Sequence, residues 1–135
     1  MRVVADSHTL VFLLSYPAKL SERAGNALRE AERSDGIVVS AMSLGDIWYS
    51  THKTSSAAIP KDTYEAVCAA VTNPALNFEL APVTAATMRY FDRVPLAELR
   101  DPFDRVILAT AADLGLPLVT ADKAISKTNV VPIVW

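Results

Sequence analysis

Cysteine is nearly missing from this 135-residue chain, with Cys68 standing alone. That excludes an internal disulfide framework and a multi-cysteine zinc site, and it fits a reducing compartment. Glycine is scarce as well, at four residues, while 51% of the chain is hydrophobic and 21% charged. Disordered, collagen-like and low-complexity states are therefore excluded. No apolar run reaches membrane-spanning length, and Asp6 falls where a signal peptide needs its apolar stretch, so the expectation is a soluble, cytoplasmic protein that does not touch a membrane. Neither sign of charge dominates: 13 Lys and Arg face 15 Asp and Glu, for a net charge of −2. Any contact with nucleic acid must come from a local patch. The length suits one domain over residues 1–135 and leaves no room for a second catalytic unit.

What the chain does have is a regular alternation. Short β-rich runs at Val3-Val4-Ala5, Ile37-Val38-Val39, Pro117-Leu118-Val119 and Val130 to Val134 are each bounded by polar or turn residues, as buried strands are. Segments of helical period lie between them. Ala24, Ala27, Leu28 and Ala31 share a face behind a Ser21 cap, and Met88 and Phe91 share one in a helix starting near Thr84. Phe103 through Leu114 is apolar nearly all round, with Pro102 at the first helical position and Gly115 as a stop. Tyr64, Val67, Cys68 and Val71 fall at core spacing, which makes Cys68 a plain core residue. Strands alternating with helices predict an α/β fold with a largely parallel sheet.

The aspartates carry the chemistry. Asp6 follows the first strand, Asp46 lies in the first turn of the helix after the second, Asp104 opens the long helix, and Asp122 comes just after Val119-Thr120. In an open parallel sheet the strand carboxyl ends share one edge, where ligands bind. These acids from distant positions therefore converge. Carboxylates held together repel unless a cation neutralises them, and hard oxygen ligands at an open site suit Mg²⁺ or Mn²⁺. Such an ion lowers the pKa of a bound water and neutralises a phosphate in transit, which phosphodiester hydrolysis requires. Capping competes for some of these residues: Ser43-Leu44-Gly45-Asp46 fits a capping box, and Asp101-Pro102-Phe103-Asp104 fits an Asp cap with Pro at the first position. Asp104 is accordingly assigned to metal and Asp101 to the cap or to support behind it. Ser7 and Thr120 are placed to orient Asp6 and Asp122.

The strings Val3-Val4-Ala5-Asp6-Ser7-His8, Ser43-Leu44-Gly45-Asp46-Ile47, Asp101-Pro102-Phe103-Asp104-Arg105 and Leu118-Val119-Thr120-Ala121-Asp122 resemble the PIN domain ribonucleases, and within them the VapC toxins of bacterial toxin–antitoxin pairs. The likeness spans nearly the whole chain. It implies a PIN-like α/β/α sandwich with a parallel central sheet, and Mg²⁺ or Mn²⁺ held by Asp6, Asp46, Asp104 and Asp122 as catalytic acids. It further implies endonucleolytic cleavage of RNA, homodimerisation with a higher assembly on the antitoxin, and neutralisation by a VapB-like antitoxin. The family usually carries Glu where this chain has Asp46, and a side chain one methylene shorter reaches the metal less directly.

Four cations flank the acids in sequence, Arg100, Arg105, Lys123 and Lys127, and are assigned to the RNA phosphates. His8 makes a poor general base at its position. Phe12, Trp48 and Tyr49, with Leu13 nearer the core, are read as a groove for an antitoxin segment that sends a basic side chain toward Asp6 and Asp104. Two other readings compete: a receiver-like signalling module of similar sheet, which needs an acid pair after its first strand, and a PIN-like fold without catalysis, which has no reason to keep four acids.

Overall fold

The computed structural model describes residues 1–135. Five strands, β1 (Val3–Ala5), β2 (Ile37–Ser40), β3 (Phe78–Ala81), β4 (Leu118–Val119) and β5 (Ile133–Val134), form one sheet in the order β3-β2-β1-β4-β5, and every pairing is parallel. Parallel neighbours need crossovers, which are supplied by α1 (Ser7–Ser15), α2 (Glu22–Arg33), α3 (Ala41–Ser50), α4 (Lys61–Val71), the one-turn α5 (Ala85–Met88), α6 (Pro102–Leu114) and α7 (Lys123–Ser126). The receiver-type order, 2-1-3-4-5, is not the one observed, so that alternative falls.

Side-chain alternation along the strands divides the interior in two. Val3, Ala5, Ile37, Val39 and Val119 face Leu10, Leu28, Ile47 and Val67 from α1 to α4. Val4, Val38 and Leu118 face Ile107, Leu108 and Ala111 of α6 and Ile125 of α7. Two helical layers therefore enclose the sheet, the α/β/α sandwich expected. No helix is long and apolar enough to cross a membrane.

Local signals account for most element ends. Ser21 accepts from the Ala24 amide at 3.0 Å and starts α2, while Gly115 closes α6 at φ 65°, a left-handed conformation that suits glycine. Three expectations change. β3 was not expected, because Glu79 and Leu80 are exposed on this edge strand and show no apolar run. The helix starting at Thr84 is capped there as expected but ends at Met88, and Phe91 lies in a separate 3-10 turn, Phe91–Arg93. Cys68 is half-buried rather than core, since α4 turns Thr63, Val67 and Val71 inward instead.

Candidate active site

From β1 the chain order runs one way to β2 and β3 and the other way to β4 and β5, so the sheet reverses direction between β1 and β4. The crevice outside the strand ends at such a point is where open α/β sheets take ligands. Asp6 leaves β1 there as the N-cap of α1, 5% exposed. Its Oδ1 accepts from the Thr9 amide at 2.9 Å, and its Oδ2 accepts from the Thr120 hydroxyl. Thr120, fully buried beyond β4, accepts in turn from the Asp122 amide at 3.0 Å. One hydroxyl thus ties the acid of β1 to the acid of β4. Asp122 caps α7, accepting from the amides of Ala124 and Ile125 at 2.8 and 3.1 Å. Thr9 also donates its hydroxyl to the Val119 carbonyl at 2.9 Å, a clamp between the strands' ends that the sequence reading missed. Its cue is local: Thr9 stands at the third position of a helix capped by an aspartate.

The other two acids arrive on helices. Asp104 is half-buried in the first turn of α6, behind the cap formed by exposed Asp101, whose Oδ1 accepts from the amides of Phe103 and Asp104 at 2.8 and 3.1 Å. Asp46 lies in the second turn of α3, not the first, because Ser40 is the cap, accepting from the Met42 amide at 3.2 Å. A Cβ on Gly45 would stand 3.6 Å from the Phe103 ring, so α3 and α6 meet at the residues that precede Asp46 and Asp104. Ser43 does not cap α3; its buried hydroxyl has no hydrogen-bond partner. The same holds for Ser7, which leaves Asp6 to Thr9 and Thr120 for its orientation.

The electrostatics record the gathering. Burial first, then the carboxylates of Asp101, Asp122, Asp46 and Asp6, push the Asp104 carboxyl up to about 7. Burial likewise raises Asp6 against the lowering effect of its bonds to Thr120 and Thr9. No ion pair relieves this, since the chain's ion pairs join the Met1 amine to Glu30 and Asp35, and Arg2 to Glu79; His8 alone adds a small lowering effect on Asp6, the last of its causes. As the side chains stand, no group of three or more His, Cys, Asp or Glu could hold a metal ion. Carboxylates without an ion-pair partner are hard oxygen donors of the kind that suit a divalent cation keeping waters in its shell and taking few protein ligands.

Arg105 is a correction. Expected among the phosphate contacts, it is 9% exposed and donates inward to the carbonyls of Phe91 (2.5 Å), Val94 (2.6 Å), Pro95 (3.1 Å) and Leu99 (2.7 Å). Those bonds hold the segment before α6 in its 3-10 turns by occupying carbonyls that a longer helix would use. Arg105→Met should cost about 2–4 kcal/mol in urea unfolding, because a charged donor and its four acceptors lose one another. A loss below ~0.5 kcal/mol, within the range of ordinary surface changes, would contradict this account. Arg100, Lys123 and Lys127 are exposed and flank the acids in sequence. The expected aromatic groove also divides. Phe12 lines a cavity of about 410 Å³ with Val11, Tyr16, Ile59 and Pro60, whereas Trp48 lines a different one with His52, Lys61 and Tyr64.

Sheet order and acidic crevice define a class: a parallel α/β sandwich with a carboxylate site at its topological reversal. The chain belongs to the PIN domain family, a nuclease family, whose model matches residues 3–131. Its fold is similar to that of VapBC2 from Rickettsia felis, solved bound to a promoter DNA fragment (TM-score 0.69, 14% identity, 98% of this chain and 97% of that one). It is also similar to DNA-bound VapBC from Salmonella typhimurium (TM-score 0.68, 17% identity, 98% and 96%). A third likeness is to VapBC-5 from Mycobacterium tuberculosis, a member of the VapBC family of toxin-antitoxin systems (TM-score 0.61, 20% identity, 98% and 96%). No curated protein sequence matches the chain significantly.

Proposed function

We propose that this protein is a Mg²⁺- or Mn²⁺-dependent endoribonuclease toxin, acting as a homodimer and neutralised by a VapB-like antitoxin. The observation that carries the reading is the placement of Asp6, Asp46, Asp104 and Asp122, from four separate elements and without an ion pair, around the strand ends, where burial first and then the neighbouring carboxylates raise the Asp104 carboxyl. Asp6, Asp104 and Asp122 would hold the ion, with Asp46, one methylene shorter than the family's usual Glu, as the fourth. When bound, a divalent cation neutralises phosphate charge and acidifies a water. The chain's own residues do the rest. Thr120 and Thr9 hold Asp6 in one orientation, Asp101 fixes the turn that presents Asp104, and Arg100, Lys123 and Lys127 draw the RNA backbone toward the acids despite the net negative charge. No Ser or Cys stands ready as a nucleophile with a base beside it, which favours water as the attacking group.

RNA cleavage is expected to stop in EDTA, to return with Mg²⁺ or Mn²⁺, and to leave 5′-phosphate and 3′-hydroxyl ends. Cleavage that persists in EDTA, or 2′,3′-cyclic phosphate products, would overturn the mechanism. For the antitoxin, the Phe12 cavity offers an apolar seat that opens beside His8, two residues from Asp6. A peptide anchored there brings a basic side chain within reach of the acids. Phe12→Ala should weaken co-purification with the antitoxin while RNA cleavage by the free protein is retained.

A further inference from the structure

The outward face of α3 carries a row of rings that the cleavage chemistry leaves unused. α3 turns Ser43, Ile47 and Ser50 inward, so Trp48 and Tyr49 face out, 43% and 59% exposed. The Trp48 ring centroid lies 4.3 Å from that of His52 and 5.1 Å, edge-on, from that of Tyr49. Tyr49 lies 5.6 Å from Phe103. This row starts at the acids: Tyr49 is three residues past Asp46, on the same helix face, and Phe103 immediately precedes Asp104. It ends at a cavity of about 210 Å³ lined by Trp48, Thr51, His52, Lys61 and Tyr64, with no carboxylate among them.

We propose that the row is a stacking platform for unpaired bases of single-stranded RNA, with Lys61 meeting the backbone at its far end. This rests on the ribonuclease reading and narrows its substrate to unpaired strand. Every base has a π-face, and aromatic rings combined with cations are how proteins hold single strands, whereas a duplex keeps its bases stacked on one another. Charge selects this occupant over a peptide. A basic segment suited to the acids would meet Lys61 at the other end, while a polyanion finds a lysine there and the proposed metal site at the acids.

The test uses the full chain carrying Asp104→Asn to prevent cleavage and Trp135→Phe to leave Trp48 as the sole tryptophan. An unstructured RNA oligonucleotide should quench Trp48 emission, and the same strand made abasic, or folded into a hairpin stem, should not. In the cleaving chain, Trp48→Leu should raise KM for the unstructured strand roughly 5- to 150-fold with kcat little changed, and Trp48→Phe should restore most of it. Tyr49→Leu should act in the same direction. Metal-dependent cleavage with KM unmoved by both leucine variants would overturn the platform and leave the nuclease standing. So would equal quenching by the abasic strand, or a Trp48→Leu variant that loses its dimer or its antitoxin while keeping KM. Base-dependent quenching in a protein that cleaves no RNA would support the platform and remove the nuclease.

Discussion

Asp104→Asn is expected to lower metal-dependent RNA cleavage by about a thousandfold or more, because a divalent ion contributes several kcal/mol of charge stabilisation and each 1.36 kcal/mol is tenfold in rate. The substitution removes a charge from the centre of the cluster and little packing, since Asp104 is only half-buried and its side chain accepts none of the bonds that cap α6. Asp6→Asn should be as damaging, yet it is the less clean test. Its amide would face either the Thr9 N–H or the Thr120 hydroxyl, both of which donate to Asp6 now. Asp101→Asn should stay near wild type, because Asn caps a helix about as well as Asp. Asp46→Asn should be milder than Asp104→Asn, and Asp46→Glu should hold or raise activity by extending a side chain that starts one turn further along its helix. Initial rates on a fluorogenic RNA with saturating Mn²⁺ decide among these. If Asp101→Asn proves more damaging than Asp104→Asn, the two roles are reversed.

That assignment came from signals a sequence carries locally. An Asp before Pro at a helix start, a Gly just past the end, and a polar residue after each apolar run are readable because caps involve neighbours in the chain. Such signals single out Asp6, Asp104 and Asp122 in the sequence, and parallel topology predicts one edge for them. Longer-range partners were not legible. Arg105 looked like a surface cation, but its carbonyl partners sit in an aperiodic stretch, and only folding shows that the guanidinium turns inward. The Thr120 bond to Asp6 spans 114 residues. β3 escaped notice because an edge strand buries too little to show an apolar run. Asp46 was shifted by one turn because Ser43 imitates a cap that Ser40 provides. The aromatic groove failed similarly: neighbouring helices were anticipated, but not that Phe12 and Trp48 line separate cavities.

The same crowding that makes the acids useful should make the metal-free protein less stable as pH rises. The Asp104 carboxyl titrates near 7 in the fold against an ordinary 3.8. Between those values the folded chain holds a proton that the unfolded chain has released, so stability falls as pH climbs through that window. Burial of Asp6 acts in the same direction. Because Asp104 is partly in solvent, its share is on the order of 1–2 kcal/mol, or ~4–8 °C in Tm. Asp104→Asn carries no titrating group and should therefore raise the Tm of the metal-free protein at about pH 8, have little effect near pH 4, and flatten the slope between them. The variant expected to lose cleavage should thus be the more stable metal-free protein, as for a site that trades stability for function. Mn²⁺ should reverse the order at about pH 8 by raising the wild-type Tm and not that of Asp104→Asn, since binding displaces the proton and favours only a fold that offers the carboxylate. Calorimetry in EDTA and in Mn²⁺ at several pH values checks both halves. A metal-free Asp104→Asn protein that melts below wild type at about pH 8 would show that the carboxylates are not in electrostatic conflict there.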